Sequence, residues 1–486
     1  MNHLKCGLEL HIQLDTKYKL FCNCLTTQKE RTPVKTIIRK LHPVASELGQ
    51  IDVAAQFEYL RDRTFYYQVF KDEVCEVELD EEPPHEINRD ALEIALQIAL
   101  LLNCKIPDEI HVMRKTVIDG SNTSGYQRTM IVGENGFLIY KNRKISIQHV
   151  CLEEDAAAKV KEEDGKVYYR LNRLGIPLVE ISTGILEGFS PKEIEEIAYA
   201  IWLICKSTGK IKEEIGSVRQ DVNVSIKSGA RVEIKGIQRL SLISKVIENE
   251  IKRQLKILKK GRKVKEETRA VKEDGSTYFT RPLPGAARMY PETDIPPVIV
   301  KESYLRKLRR ELPEPLNEKI KRFVEKLKLS RDLAKQIATS KYLKLFEKIS
   351  KKVEPSLVAS FFVYTLKDLE RRKEIKVENL KGEHFINVFD LFAKRKITKE
   401  ALPQVFIYLS KNPKEKIKNV IKKLGLKLYT KKELKSIAKK VIIKNKHLRK
   451  EKVFGILMNK VRGRAHIDDV RKIFEKIWEG REDLQR

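Results

Sequence analysis

The chain has 486 residues, too many for one hydrophobic core, and its length suggests about three domains. With 41% hydrophobic and 34% charged residues it is a globular chain and excludes a disordered or fibrous one. The net charge of +30 sits almost wholly in residues 301–486, which hold 52 Lys plus Arg against 24 Asp plus Glu, while residues 1–300 hold 46 against 44. That split points to chemistry in the first part and attraction for a polyanion, nucleic acid above all, in the second. No uncharged apolar run is long enough to span a bilayer, and MNHLKCGLELHIQL alternates like a strand where a signal peptide would have an apolar core. A cytoplasmic protein without membrane contact is expected. The seven cysteines all lie in the first half, and their odd number and irregular spacing argue against a disulfide framework. Cys22-Asn23-Cys24 offers two metal ligands, but no second close pair completes a four-ligand zinc site, so the cysteines read as reduced.

In chain order, residues 6–14 read as a strand with Glu9, His11 and Gln13 on one face and Leu8, Leu10, Ile12 and Leu14 on the other. Residues 77–90 form an acidic, Pro-broken loop leading to a helix at about 89–102, with Asn88 or a neighbour as its cap. HVMRKTVIDGSNTSGYQR, residues 111–128, breaks from a strand into a run of small hydroxyl residues and glycines flanked by Arg114, Lys115 and Arg128. Such a loop suits an anion or a polar intermediate, although it lacks the ending of a P-loop. A plain surface loop is the rival reading. The strand at 145–155 ends in the carboxylates Glu153, Glu154 and Asp155, and LVEIST embeds Glu180 in an otherwise apolar strand. A carboxylate embedded that way needs a cation, a donor or a proton, and one metal ion explains the set economically.

Ser190-Pro191 opens a helix that runs to about Gly209. Residues 217–235, SVRQDVNVSIKSGARVEIK, then alternate as a hairpin around Ser228-Gly229. Its apolar face carries Val218, Val222, Val224, Val232 and Ile234; its polar face carries Arg219, Asp221, Asn223, Glu233 and Lys235. A further helix covers 240–258, a charged connector covers 259–280, and a Pro-rich wrap with Arg281, Arg288, Glu292 and Asp294 follows. From 301 to 478 the pattern is helical, with a break near Lys411-Asn412-Pro413.

Taken together, GLELHIQLDTKYKLFCNC, ELDEEPPHE, HVMRKTVIDGSNTSGYQRT, CLEEDAA, RLGIPLVEI, RQDVNVSI with RVEIKG, and RPLPGAARMYPETDIPPV resemble the archaeal E-subunit (GatE) family of glutamyl-tRNA(Gln) amidotransferases, relatives of the bacterial B subunit. The terminal KVRGRA unit resembles that family's YqeY-like tail. The resemblance implies an α+β chain: a cradle-like antiparallel-sheet catalytic domain over 1–300, an all-helical domain over 301–412 and a small basic YqeY-like helical tail over 413–486. It implies that ATP phosphorylates the γ-carboxylate of glutamate on tRNA(Gln), with Mg²⁺ offsetting the phosphate charge, and that ammonia then forms glutaminyl-tRNA(Gln). Ammonia is expected from the asparaginase-like glutaminase of the same complex, its D subunit, in a heterodimer or heterotetramer. Metal binding is expected on His11, Glu154 and Glu180, with Glu9 and Glu153 next. Lys115, Ser121, Asn122, Thr123 and Ser124 are the expected catalytic loop; Arg219, Asp221, Asn223, Glu233 and Lys235 are the expected floor of the nucleotide and acceptor-end pocket. One departure stands out: the aspartyl-tRNA-synthetase-like insert usual in the archaeal family is replaced by the connector at 259–280. Without the resemblance, the same residues also suit a metal-dependent RNA phosphohydrolase or a non-catalytic RNA-binding protein.

Overall fold

The computed structural model describes residues 3–29, 32–45, 49–214, 216–285, 289–445 and 447–480. Arg288, part of the expected Pro-rich wrap, lies outside them. Two compact units divide the chain, Met1–Asn317 and Glu318–Arg486, the first built on sheets and the second on helices, which makes the protein α+β.

The first unit is organised by an 11-stranded sheet. At its centre the strand Lys5–Gln13 pairs antiparallel with Pro177–Thr183 on one side and Val218–Ser225 on the other. Period-2 patterning sorts these strands into two faces. Leu8, Leu10, Ile12, Val179, Ile181, Val222 and Val224 are buried on one of them, beneath the helices Arg89–Leu101, Pro191–Ser207 and Ile243–Lys259. The helix starts follow the cap chemistry read from sequence. Asn88 accepts from the Ala91 amide at 3.1 Å, and Ser190 and Glu193 form a capping box with Pro191 in the first turn.

The hairpin pairs Val218–Ser225 with Val232–Ile237, and Ser228, with φ of 63°, takes the left-handed turn position. The stretch expected as a connector differs from expectation. Glu267–Val271 and Thr277–Pro282 form a β-hairpin that adds to the sheet, the first of the two lying parallel to Val232–Ile237. Glu267 is paired both within its strand and from the helix Ile243–Lys259: with Arg269 at 2.7 Å and with Arg253 at 3.1 Å. At the opposite end Met289–Pro291 pairs with Met113–Thr116. A separate four-stranded sheet of Lys35–Arg39, Thr64–Val69, Ala158–Glu163 and Lys166–Arg170 packs a small core of its own around Tyr67, Val167 and Leu171.

The second unit is helical throughout its described residues. One core gathers Phe361, Phe362, Phe385, Phe389 and Phe406 in mutual ring contact, and another joins the helices Lys431–Lys444, Lys450–Val461 and Ile467–Glu479 through Leu434, Leu457 and Phe474. No helix among the described residues is long and apolar enough to cross a membrane.

Candidate active site

The sheet face turned away from the helices floors an open cleft of about 360 Å³, a size that admits a small polar ligand. Register puts the charged residues there. His11 lies opposite Glu180 on one neighbour and Arg219 on the other, and Glu9 lies opposite Asp221. His11 Nε2 is 3.2 Å from Glu180 Oε2. Lys115 Nζ donates to Glu153 Oε1 at 2.7 Å and stands 3.6 Å from Glu180. Lys235 Nζ bridges Asp221 at 2.9 Å and Glu233 at 2.8 Å, while Asn223 Nδ2 donates to Glu9 Oε1 at 3.2 Å.

Five carboxylates, of Glu9, Glu153, Glu180, Asp221 and Glu233, thus meet two lysines, Lys115 and Lys235. The imbalance is felt by the titrating groups. Burial pushes the Glu9 carboxyl up; Lys235 opposes this, and the charges of Glu180, Asp221 and Glu233 add to it. Burial alone would lower His11, but its hydrogen bond to Glu180 and the charges of Asp221, Glu180 and Glu153 raise it to about 9. Glu180 goes the other way: burial favours its neutral form, yet Lys115 and His11 hold it well below the usual carboxylate range. A site that lifts both a histidine and a carboxyl is short of positive charge. One ligand atom each from Glu9, His11 and Glu180 lies within 4.8 Å of the others, and Glu9, Asp221 and Glu233 form a second such group. Oxygen-rich groups of this kind fit a hard divalent cation.

The expected site residues divide between this cleft and the recess beside it. Glu9, His11, Lys115, Ser121, Glu180, Arg219, Asp221, Glu233 and Lys235 line the cleft. Glu153 joins them through Lys115, and Asn223 through Glu9. Glu154 does not join His11 and Glu180. It pairs with Pro177, one position off the cleft-facing set, and its carboxylate accepts from the Arg128 amide at 2.9 Å. Asn122, Thr123, Ser124 and Glu154 line the adjoining recess with Cys22 and Glu78. There Thr123 Oγ1 donates to the Glu78 carbonyl at 2.6 Å and Ser124 Oγ to the Tyr126 carbonyl at 2.9 Å. Of the expected loop, Lys115 and Ser121 alone border the cleft.

Two residues outside the expected site set, Gln127 and Asp155, also line the cleft. Gln127 Nε2 donates to Glu153 Oε2 at 3.1 Å and to the Glu154 carbonyl at 2.8 Å, fixing the end of that strand. Asp155, 1% exposed, receives both Arg219 Nη2 at 2.7 Å and Gln13 Nε2 at 2.6 Å. The alternation of Gln13 with Ile12 and Leu14 placed that glutamine on the polar face; its partner on another strand had no signal.

Family comparison agrees with this architecture. The model described as the GatB/GatE catalytic domain matches residues 4–306, the sheet-built part, and one described as a GatB domain matches residues 344–477. The chain belongs to the GatB/GatE family. It is 35% identical to the glutamyl-tRNA(Gln) amidotransferase E subunit of Methanocaldococcus jannaschii, over 97% of this chain and 98% of that one. It is 36% identical to the protein of the same name from Methanococcus maripaludis strain C7, over 93% of each chain, and 34% identical to that of Caldivirga maquilingensis, over 98% and 97%. The M. jannaschii alignment runs to 618 positions against 486 residues here, so at least 132 positions of that relative have no counterpart in this chain. A missing insert of domain size leads one to expect such a difference.

Proposed function

We propose that this GatB/GatE chain is the tRNA-dependent amidotransferase component that converts glutamate esterified to tRNA(Gln) into glutamine, as a cytoplasmic ATP-dependent carbon–nitrogen ligase. The observation that carries the reading is the cleft itself, an open sheet face with five carboxylates around two lysines, in a chain matched across nearly its whole length by archaeal GatE proteins. A free carboxylate resists attack by ammonia because its oxygen is a poor leaving group. Phosphorylation makes the oxygen leave as phosphate, and the nucleotide needs its charge offset for that transfer.

Glu9, His11 and Glu180 are the groups that would hold Mg²⁺, with Asp221 and Glu233 around Glu9 and with Glu153 close by through Lys115. Bound there, Mg²⁺ would supply charge compensation at the transferring phosphoryl group. To ligate a metal His11 would have to give up its proton, which would tie binding to pH. Lys115, beside Glu153 and Glu180, is placed to offset charge on the reacting carboxyl, and Ser121 to donate a hydrogen bond to it. Asp155 holds Arg219 at the cleft wall, and Asn223 and Lys235 fix the floor. The chemistry belongs to residues 1–300; the basic helical residues 301–412 and the tail 413–486 supply phosphate contacts to tRNA. Ammonia comes from a glutaminase partner, the asparaginase-like D subunit, in a heterodimer or heterotetramer.

The decisive experiment incubates the full chain with glutamyl-tRNA(Gln), ATP, Mg²⁺ and ammonium, then hydrolyses the ester and identifies the amino acid. Glutamine is the expected product. Cleaved RNA would instead identify a phosphohydrolase, and bound tRNA with unchanged glutamate would leave a binding protein.

A further inference from the structure

At the end of the large sheet that carries Lys115, a buried carboxylate holds two arginines on the face away from the cleft. The strand Met113–Thr116 lies between Tyr126–Tyr140 and the three-residue terminal strand Met289–Pro291. Register sets Lys115 opposite Gln127 and Met289, and Arg114 opposite Arg128 and Tyr290. Successive strand residues point to opposite faces, so Lys115 and Gln127 line the cleft while Arg114 and Arg128 turn away from it. Glu292 follows the terminal strand, and its side chain has no exposed surface. Its Oε1 accepts from Arg114 Nη2, and its Oε2 accepts from Arg128 Nε at 2.7 Å. The Asp294 amide donates to Oε1 at 3.0 Å, and the Glu292 amide donates to the Val112 carbonyl at 2.9 Å.

That carboxylate answers a local problem of charge. Like charges directly opposite each other on neighbouring strands repel, and Arg114 and Arg128 are such a pair. Both guanidinium groups lie over the Tyr126 ring, at 4.8 and 5.2 Å, so neither can swing out to water without giving up that contact. Two other carboxylates reach them. Asp294 Oδ2 meets Arg114 at 3.2 Å from a half-exposed side chain, and Glu154 stands 3.6 Å from Arg128 Nη1, but burial pushes the Glu154 carboxyl toward its neutral form. Burial acts on Glu292 in the same direction, yet hydrogen bonds from Arg114, the Asp294 amide and Arg128 bring it below its usual value. Glu292 is therefore the buried anion that both arginines share. The terminal strand adds little of its own, being short and ending in Pro291, which donates no ladder bond.

We propose that Glu292 is a positioning residue for the amidotransferase reaction: by bridging Arg114 and Arg128 on the far face it fixes the strand Met113–Thr116, and with it the Lys115 ammonium between Glu153 and Glu180. Glu292 touches no reacting atom. Its influence reaches the chemistry through Lys115, and so rests on the proposed role of that lysine in offsetting charge on the reacting carboxyl. Lys115 Nζ is 2.7 Å from Glu153 and 3.6 Å from Glu180. A shift of the strand by about 1 Å would rearrange both contacts, and a misplacement of that size can cost about 100-fold in rate. Glu292→Gln keeps the side-chain shape but removes the anion and turns an NH₂ group toward one guanidinium, which leaves the two arginines to repel each other. Glu9, His11 and Glu180, the groups that would hold the metal and its nucleotide, sit on other strands, so nucleotide affinity has no reason to follow.

The test is a double-mutant cycle with Lys115→Met, read in the full chain as single-turnover conversion of glutamyl-tRNA(Gln) to glutaminyl-tRNA(Gln) with ATP, Mg²⁺ and ammonium. With Lys115 present, Glu292→Gln should slow conversion by roughly tenfold or more, while the half-saturating ATP concentration and tRNA retention on filters stay within about threefold. Glu292→Asp, which keeps the charge, should recover part of the loss. In the Lys115→Met background Glu292→Gln should cost less than about twofold, because the side chain it positions is gone. The same loss in both backgrounds would overturn the proposal, since a carboxylate that merely supports the fold acts whether or not Lys115 is present. Full activity of folded Glu292→Gln would overturn it as well. Lys115→Met converting at the wild-type rate is a different failure: it would remove Lys115 from the reaction and take the proposal with it. If Glu292→Gln does not fold, Arg114→Lys, which keeps the charge but loses the planar fork that meets Glu292, carries the same cycle with the same outcomes.

Discussion

Asp155→Asn is the substitution whose effect is best determined by the geometry. The carboxylate is 1% exposed and takes Arg219 at 2.7 and 3.3 Å, Gln13 at 2.6 Å and the Ala156 amide at 2.8 Å, with Arg173 Nε at 3.9 Å. Asparagine keeps one acceptor and turns the other oxygen into an NH₂ group facing donors. Removing one partner of a buried ion pair costs about 3–5 kcal/mol. Arg219 retains 21% side-chain exposure and can recover some hydration, so roughly 2–3 kcal/mol is expected at pH 7.

Burial raises the Asp155 carboxyl, but Arg219 and Arg173, with hydrogen bonds from Arg219 and Gln13, bring it below its usual value. A depressed carboxyl stabilises the fold above the unfolded-state pKa of about 3.9, and that contribution disappears as pH falls through the folded value. The wild-type advantage should therefore be full at pH 6–7 and shrink from about pH 4 downward. Trp202 lies in the helix Pro191–Ser207 of the sheet-built unit, and Trp478 lies in the other unit. Urea unfolding read by Trp202 fluorescence in a Trp478→Phe background isolates the relevant transition. A loss below about 1 kcal/mol at pH 7, or a loss unchanged down to pH 3, would refute the assignment of Asp155 as the ionised anchor of Arg219.

Three further outcomes follow from the site. Glu180→Gln removes the His11 partner and a cleft carboxylate, so ATP-dependent phosphorylation of glutamyl-tRNA should fall by roughly 100-fold or more, with tRNA affinity within about twofold; unimpaired single-turnover phosphorylation would take Glu180 out of the site. Glu154→Gln alters a carboxyl that burial already pushes toward its neutral form, away from the cleft. It should leave that rate within about threefold, and a loss as large as that of Glu180→Gln would mean the strand register is wrong. Binding of tRNA, measured by filter retention from 50 to 200 mM salt, should weaken with a log–log slope of roughly 0.7–0.9 per phosphate contact; a flat response would remove the basic helices as the docking surface.

The elements legible in sequence were those with local periodicity. Alternation along residues 6–14 and 217–235 put Glu9, His11, Asp221 and Glu233 on one face without any knowledge of partners, and the caps at Asn88 and Ser190 were visible as single residues. Choosing between Glu153 and Glu154 was different in kind. Adjacent strand residues point to opposite faces, so the choice rests on register, and the run Cys151-Leu152-Glu153-Glu154-Asp155 has no alternation to fix it. The stretch at 259–280 read as a linker because its lysines and glutamates mask a strand whose pairing to Val232–Ile237 is parallel and an edge strand that follows it.

The balance of charge in the cleft also separates the candidate activities. Lys115 and Lys235 are engaged by carboxylates, and Arg219 is held in a bidentate pair by Asp155. None of the three presents an uncompensated positive charge to an incoming phosphate. A bare RNA backbone laid on this face would meet four carboxylates, of Glu9, Glu180, Asp221 and Glu233, against the cations His11 and Arg281, the first already paired with Glu180 and the second 3.8 Å from Asp119, so the face is ill suited to passive docking of nucleic acid. On the proposed function, a nucleotide would be accepted only if its phosphates arrive with, or meet, a divalent cation that the same carboxylates can share. On that proposal, the acidity that repels a polyanion would make the cleft selective for a metal-bound triphosphate, and affinity for tRNA would fall to the basic helices, where phosphate contacts need no such intermediary.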